Sequence, residues 1–312
     1  MVLRVRFESF KKEAGPTIRE LKFIVKRIRK SPLSIVGIII ILTFVAIAIL
    51  APILAPPPEG WYDPYMIPRD GFSVTPRPPG PEHLFGTAEG QYDIYYGCIW
   101  GTRTAFRVGL IVVGCTVLMG IAIGSISGYY GGKIDEIFMR LTDVIYAFPG
   151  IVLVMVLVVI LGPSLESVMM AIILVGWPTY ARLVRGEVLR IKQEDFVEAA
   201  KAMGCSDFRV IVRHVLPNAI FPLLAVATLD MGSIVLTVAA FSFLGLGAPI
   251  GYADWGQMIA LSRNWIIGTP ANPYEYWYTF IIPGIFIFTF VLGWGLLGDA
   301  FRDILDPMLR RR

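Results

Sequence analysis

DFVEAAKAMGCSDFRVIVRHVLP, residues 195–217, is the stretch on which the reading of this chain turns. Its pattern is that of two short amphipathic helices in tandem, set between much longer apolar runs. Phe196, Ala199, Ala200 and Met203 recur at i, i+3, i+4 and i+7, which is one face of a helix. Glu198 and Lys201 lie off that face. Asp195 with Glu198 three residues on reads as an Asp-headed capping box, and Gly204 stands where a helix-terminating glycine belongs. The second helix repeats the design. Ser206 is its cap, Phe208, Ile211, Val212 and Val215 its apolar face, and Arg209 and Arg213 sit at i, i+4 on the other side. Pro217 is expected to close the unit, because proline disfavours helix in the residue before it. An isolated helix needs roughly 12–15 residues to persist in water, so both segments require something to pack against.

What surrounds them is membrane. The chain has 312 residues, of which 55% are hydrophobic and 17% charged, and its mean hydropathy is +0.66. Soluble domains carry about 25% charged residues. Leu33 to Ala55 has no charge and is long enough to cross a hydrocarbon core of about 30 Å. Both its apolar core and its basic lead exceed those of a signal peptide, so it is expected to stay as an anchor. Further apolar runs near 105–127, 142–162, 165–183, 219–246 and 278–298 bring the expected spans to six. Cys98, Cys115 and Cys205 are far apart and lack metal-site spacing, and His83 and His214 are the only histidines. Disulfide, zinc and imidazole chemistry therefore have little to work with.

Lysine and arginine give the orientation. If the spans alternate, 23 of the 28 fall on one side, in 1–31, 128–141, 182–217 and the tail. Three fall on the other side, in 56–102 and 247–277, and Arg103 and Arg107 lie near the start of the second span. Both termini and residues 195–217 are thus expected in the cytoplasm. The chain divides into a basic segment 1–31, a first span 32–55, an extracytoplasmic loop 56–102 and a five-helix core 103–312. The basic segment, with Ile18, Leu21, Ile24 and Val25 at helical spacing, is read as lying on lipid headgroups. Nothing in this distribution calls for nucleic acid.

Within the spans, Gly120, Gly124 and Gly128 form a doubled small-xxx-small pattern that admits a close helical neighbour. Pro149, Pro178, Pro222 and Pro283 lie inside four different expected spans, where bent helices suit a pathway that opens and closes. Arg140 and Asp143 are near enough to the interface for a structural role. Asp230 falls about mid-membrane, where a carboxylate costs at least ~2.5 kcal/mol. It should face the bundle interior, a water-filled route or a basic partner, either lining a pathway or standing as a paired or protonated structural group.

Glu198-Ala199-Ala200, then Gly204, then Leu216-Pro217 resembles the EAA loop of permease subunits in ATP-binding-cassette importers. The resemblance extends through Gly128-Tyr129-Tyr130-Gly131-Gly132, Ala147-Phe148-Pro149, Leu161-Gly162-Pro163-Ser164-Leu165 and Trp177-Pro178 with Tyr180-Ala181-Arg182. It continues in Ser242-Phe243-Leu244-Gly245-Leu246-Gly247 and in Leu297-Gly298-Asp299 with Arg302-Asp303 and Asp306-Pro307. Together these cover about residues 80–312 and are similar to the second permease of dipeptide and oligopeptide importers. Before the second span the chain keeps His83, Phe85, Gly86, Thr87, Asp93, Gly101 and Arg103 of that branch. It departs at Ala88, Gln91-Tyr92 and Tyr96-Gly97.

The resemblance implies an all-α polytopic protein with six transmembrane helices, the type I importer permease fold, and cytoplasmic coupling helices. It also implies that Phe196, Glu198, Ala199, Ala200, Met203, Gly204, Leu216 and Pro217 meet a cytoplasmic ATPase. The implied assembly holds a second homologous permease, two ATPase subunits and an extracytoplasmic substrate-binding protein. ATP and Mg would be bound by the ATPase chains and no cofactor by this one. The sequence agrees, since no G-x-x-x-x-G-K-[ST] loop occurs and Gly132-Lys133 is followed by Ile134. Cargo is expected to be di- or oligopeptide, with oligosaccharide or nickel as alternatives. An ion-coupled transporter using Asp230 is the rival mechanism, though no second copy of either half is visible. A membrane-embedded enzyme finds no catalytic cluster.

Overall fold

The computed structural model describes residues 31–270 and 272–305. The basic segment before residue 31 and the motif Asp306-Pro307 lie outside the described residues. Every regular element among those described is helical, accompanied by three isolated bridges. In chain order the helices are α1 (Pro32–Leu54), α2 (Ile94–Tyr130), α3 (Gly132–Tyr146), α4 (Gly150–Leu161) and α5 (Leu165–Ile191). There follow α6 (Asp195–Ala202), α7 (Asp207–Val210), a π turn Ile211–Val215, α8 (Leu216–Phe243), α9 (Trp255–Ala260) and α10 (Tyr278–Leu305). Five helices are long and apolar enough to cross a membrane, six if the bent pair α3–α4 counts as one span.

That bent pair is where the expected span at 142–162 lies. α3 and α4 meet at 87°, and Pro149 is the N-cap of α4 rather than a kink within a helix. The cause is local: proline pushes the residue before it out of the helical region. α3 is amphipathic, with Arg140 paired to Glu136 along its surface and Asp143 paired across to Arg182 of α5. Pro178, Pro222 and Pro283 do sit inside α5, α8 and α10.

The bundle is built on α2 against α5. A Cβ at Gly120 would stand 2.2 Å from Tyr180 Cβ, one at Gly124 2.5 Å from the Ala181 carbonyl oxygen, and one at Gly128 3.0 Å from the Arg185 carbonyl oxygen. The three glycines are therefore the seam itself, with one backbone lying on the other. α10 packs on α8 and α1, where Gly298 faces Leu229 and Gly37 faces Leu296.

At 37 residues α2 spans about 55 Å, more than a bilayer core needs. Its first turns join a folded cap made by residues 55–93, 244–270 and 272–277. Tyr65 stacks on Tyr252, the Ile67 amide donates to the Gly251 carbonyl, and Trp255 Nε1 donates to the Cys98 carbonyl. Phe44, Trp255, Phe286 and Phe290 form an edge-to-face aromatic cluster that ties α1 and α10 to this end. A second, smaller core lies at the opposite, basic end. It contains Tyr129, Val184, Val188, Ile191, Val197, Ala200, Val210, Ile211 and Val215.

Candidate functional site

The smaller core is where residues 195–217 attach. α6 starts after Glu194, which is extended and makes no side-chain cap, so the expected Asp195–Glu198 capping box does not form. Asp195 is already the first helical residue, with Val197 N–H donating to the Glu194 carbonyl. The C-terminal end matches expectation. Gly204 has φ +83°, its N–H donates to the Lys201 carbonyl, and Cys205 N–H donates to the Ala200 carbonyl. These two bonds are the pair that a left-handed glycine makes possible when it reverses the chain after a helix.

The second short helix corrects the sequence reading more deeply. Ser206 precedes α7 without a side-chain cap, and Pro217 does not end anything. α7 runs through the π turn straight into α8, and Leu216 N–H donates to the Ile211 carbonyl. A proline ring clashes with the carbonyl four residues earlier in an α-helix, and it offers no N–H. Widening the turn just before Pro217 removes that conflict and lets the helix continue. Asp207 to Phe243 is therefore one helical rod.

The expected apolar face of α6 is also two stripes, not one. Ala200 turns inward with Val197, and both are buried against α5 and the second short helix. Phe196, Ala199 and Met203 turn outward, with Phe196 45% and Met203 77% exposed. In the second helix Val210, Ile211 and Val215 go inward while Phe208 and Val212 remain 76% and 47% exposed. Val197 and Val210 were not part of the predicted face. Their spacing to Ala200 and Ile211 was the available signal, but in helices this short both stripes fit the same period. Glu198, Gly204 and Pro217 are exposed and Leu216 is half-buried.

Polar contacts fix this unit to the bundle. Tyr129, at the end of α2, donates from its hydroxyl to Asp207 Oδ1 at 2.7 Å, and the Lys201 ammonium lies 4.9 Å from the centre of its ring. Burial and the Asp207 carboxylate hold that hydroxyl protonated in its role as donor. Lys192 donates to the carbonyls of Gly128 and Tyr129, closing the exposed carbonyl end of α2. Arg185 grips Asp135 with two bonds of 2.5 and 2.6 Å, and Ser127 donates to the same carboxylate. One small region thus joins α2, α3, α5, α6 and α7.

Asp230 lies midway along α8, about 21 Å from its first residue at 1.5 Å per residue. It is half-exposed, and its Oδ2 accepts from the Tyr180 hydroxyl at 2.5 Å. The Ser233 hydroxyl is 3.4 Å from Oδ1. Among the described residues, no group of three histidine, cysteine or acidic side chains is arranged to hold a metal ion.

Residues 120–311 match the family described as the inner membrane component of binding-protein-dependent transport systems. Residues 21–70 match the N-terminal transmembrane domain of oligopeptide transport permease C. The dipeptide transport system permease protein DppC of Alkalihalophilus pseudofirmus is 39% identical over 285 residues, covering 91% of this chain and 89% of that protein. The probable D,D-dipeptide transport system permease protein DdpC of Escherichia coli is 37% identical, covering 90% and 89%. The oligopeptide transport system permease protein OppC of Bacillus subtilis is 35% identical, covering 91% and 88%. With a seam of glycines along α2, a multi-pass bundle and that likeness over nine-tenths of its length, the chain belongs to the family of inner membrane components of binding-protein-dependent transport systems.

Proposed function

We propose that this chain is one of two permease subunits of an ATP-driven importer of di- and oligopeptides, and that residues 195–217 receive the stroke of a cytoplasmic ATPase. The relatives' names supply the cargo class. The observation that carries the coupling role is the double-sided packing of α6 and α7. Their inner stripe is consumed by their own bundle, while Phe196, Met203, Phe208 and Val212 stand exposed beside Glu198. Large apolar side chains left exposed on a folded unit mark a contact with another protein or with the membrane, and the EAA-like spacing of Glu198, Gly204 and Pro217 favours the protein.

The excess of lysine and arginine supports a cytoplasmic position for this end and for both termini. ATP and Mg belong to two ATPase subunits, since this chain has no phosphate-binding loop. A second, homologous permease completes the pathway, and a substrate-binding protein delivers cargo to the cap at the other end. The chain performs no catalysis of its own. In this reading Phe196, Ala199, Met203 and Phe208 enter a groove on the ATPase, Glu198 meets a basic group there, and the turn at Gly204 sets the angle between the two short helices. Ala200 and Leu216 face back into the bundle and Pro217 marks where the rod enters the span. Motion of the unit passes to α2 and α5 through Val197, Ala200 and Tyr129. It passes to α8 directly, because α7 and α8 are continuous.

The test is co-purification of the permease pair with its ATPase. Met203→Asp with Phe208→Asp should lower ATPase recovery by roughly tenfold or more, about 1.4 kcal/mol in binding. Both side chains are exposed, so the permease itself should fold and partner normally. Undiminished recovery would remove these helices from the ATPase interface.

A further inference from the structure

Asp230 has a property that the coupling mechanism does not use: it is a rigidly held carboxylate without a counter-charge. The Tyr180 ring is fully buried, and its Cβ lies against Gly120 in the tightest part of the α2–α5 seam. The hydroxyl that grips Oδ2 at 2.5 Å is therefore a fixed donor. Oδ1 has only the Ser233 hydroxyl at 3.4 Å, and that hydroxyl also donates to the Asp230 carbonyl at 3.2 Å. Among the described residues, none of the ion pairs includes Asp230. The carboxylate is oriented by one oxygen and open at the other.

Its surroundings indicate which way it opens. Asp230, Ser233 and Thr237 follow one another at i, i+3 and i+7, a single stripe of α8, and Ser233 is exposed. Thr237 donates to the Ser233 carbonyl, so the hydroxyls on this stripe are satisfied along the helix. The carboxylate accepts from Tyr180 and, at 3.4 Å, from Ser233, but has no counter-charge among the described residues. An ionisable side chain at this depth faces a cavity or pairs with a charge, because hydrocarbon cannot solvate it. From the chain's own side the pair is missing. A charge passing along or sitting against the stripe would complete the pair.

We infer that Asp230 receives the α-ammonium group of the peptide in transit, a specificity subsite built from Asp230 Oδ1 and positioned by Tyr180. This rests on the peptide-import reading and deepens it. An ammonium offers three donors, and an open carboxylate oxygen in a low-dielectric route is its natural acceptor. Every unblocked peptide carries this group whatever its side chains, which suits a pathway serving many sequences. A single charge-assisted contact is also weak enough to release, as conduction through any pathway requires.

The experiment uses the whole importer in proteoliposomes, with Cys98, Cys115 and Cys205 replaced and Ser233→Cys introduced as a disulfide reporter beside Asp230. Two tripeptides, Cys-Ala-Ala and Ala-Ala-Cys, each with its thiol activated as a 2-pyridyl disulfide, are supplied during ATP turnover, so that the thiol introduced by Ser233→Cys captures the peptide by exchange and releases pyridine-2-thione. The amino-terminal thiol should be trapped about tenfold more than the carboxyl-terminal one, the equivalent of about 1.4 kcal/mol. Asp230→Asn in the same background should abolish that preference. Tyr180→Phe should weaken it while leaving the charge in place. Equal trapping of both peptides, or a preference that survives Asp230→Asn, overturns the inference. So does uptake that proceeds with no trapping at all. Loss of the second permease on purification of Asp230→Asn, with trapping preference intact, would assign the carboxylate to a subunit pair instead. Failure of the wild-type importer to take up any peptide would instead bring down the cargo reading, which makes the two failures distinguishable.

Discussion

The glycine seam between α2 and α5 makes a graded prediction. A Cβ at Gly120 would lie 2.2 Å from Tyr180 Cβ, 2.9 Å from the Tyr180 carbonyl carbon and 3.0 Å from the Ala181 nitrogen. Carbon atoms in contact rest about 3.5–4.0 Å apart, so Gly120→Ala is short by roughly 1.5 Å. The obstructing atoms are Cβ and backbone, which cannot swing aside, and the helices must part. Overpacking of this kind costs about 1–3 kcal/mol. A gap of even 0.5–1 Å along the seam forfeits about a quarter to a half of each contact there. The better helix propensity of alanine returns up to about 1 kcal/mol, so the net effect stays destabilising. Gly124→Ala meets the Ala181 carbonyl oxygen at 2.5 Å and Val184 Cβ at 2.8 Å, a smaller conflict. Gly128→Ala meets nothing closer than 3.0 Å and needs a shift of only a few tenths of an ångström. There the propensity gain should roughly cancel the cost. Thermal denaturation midpoints of the purified complex in lipid nanodiscs should therefore fall most for Gly120→Ala, less for Gly124→Ala and least for Gly128→Ala. A flat series, or one in which Gly128→Ala is the worst, would refute the claim that this seam sets the bundle.

At Gly204 a Cβ would have nothing within 4 Å, so Gly204→Val tests backbone alone. The φ of +83° should cost a β-branched residue about 1–2 kcal/mol or more, reorienting α7 against α6. ATPase association should then persist while peptide imported per ATP falls, and Gly204→Asn should recover most of the ratio. Wild-type coupling in Gly204→Val would count against the turn's role. Tyr129→Phe keeps the ring beneath Lys201 but loses the hydroxyl bond to Asp207, worth about 1 kcal/mol. Amide hydrogen exchange should rise in 195–210 with little change in α5, and uniform protection would show that the bond does not hold the short helices.

How much of this was legible in the sequence follows from what each residue has to satisfy. The long apolar runs were readable because a helix in lipid must bond its own backbone, and only a run of that length can cross. Gly204 was readable because few residues other than glycine adopt that φ. Residues 195–217 were harder. In an eight-residue helix Phe196–Met203 and Val197–Ala200 are equally periodic, and only the presence of α5 on one side decides that Val197 goes in. Pro217 misled for a related reason. Proline's local preference ends a helix, but burial of Val210, Ile211 and Val215 on one side favours keeping the chain helical, and one widened turn reconciles the two. The cap could not be foreseen at all. The Tyr65–Tyr252 stack joins residues far apart in sequence, and no spacing rule links them.

Helical continuity through Pro217 changes the mechanics of the proposed transporter. Had the proline closed the unit, the two short helices would hang from the bundle by a flexible joint, and a push from the ATPase would be lost there. A helical rod from Asp207 to Phe243 has no such joint. Its π turn lies between the exposed Phe208 and the span, ahead of Pro222, the place where a change of angle would become a rotation of α8 about its own axis. Asp230 lies some way along that axis, hydrogen-bonded to α5 through Tyr180. Rotating α8 against α5 would strain this one polar contact and swing the open carboxylate oxygen, so the force received at Phe208 and the site that holds the cargo would be two ends of one element. Bridging Tyr180→Cys to Asp230→Cys with a bifunctional thiol reagent should therefore abolish the uptake that the same double variant retains unbridged, while leaving ATPase binding intact. Uptake through the crosslinked protein would show that α8 does not turn against α5.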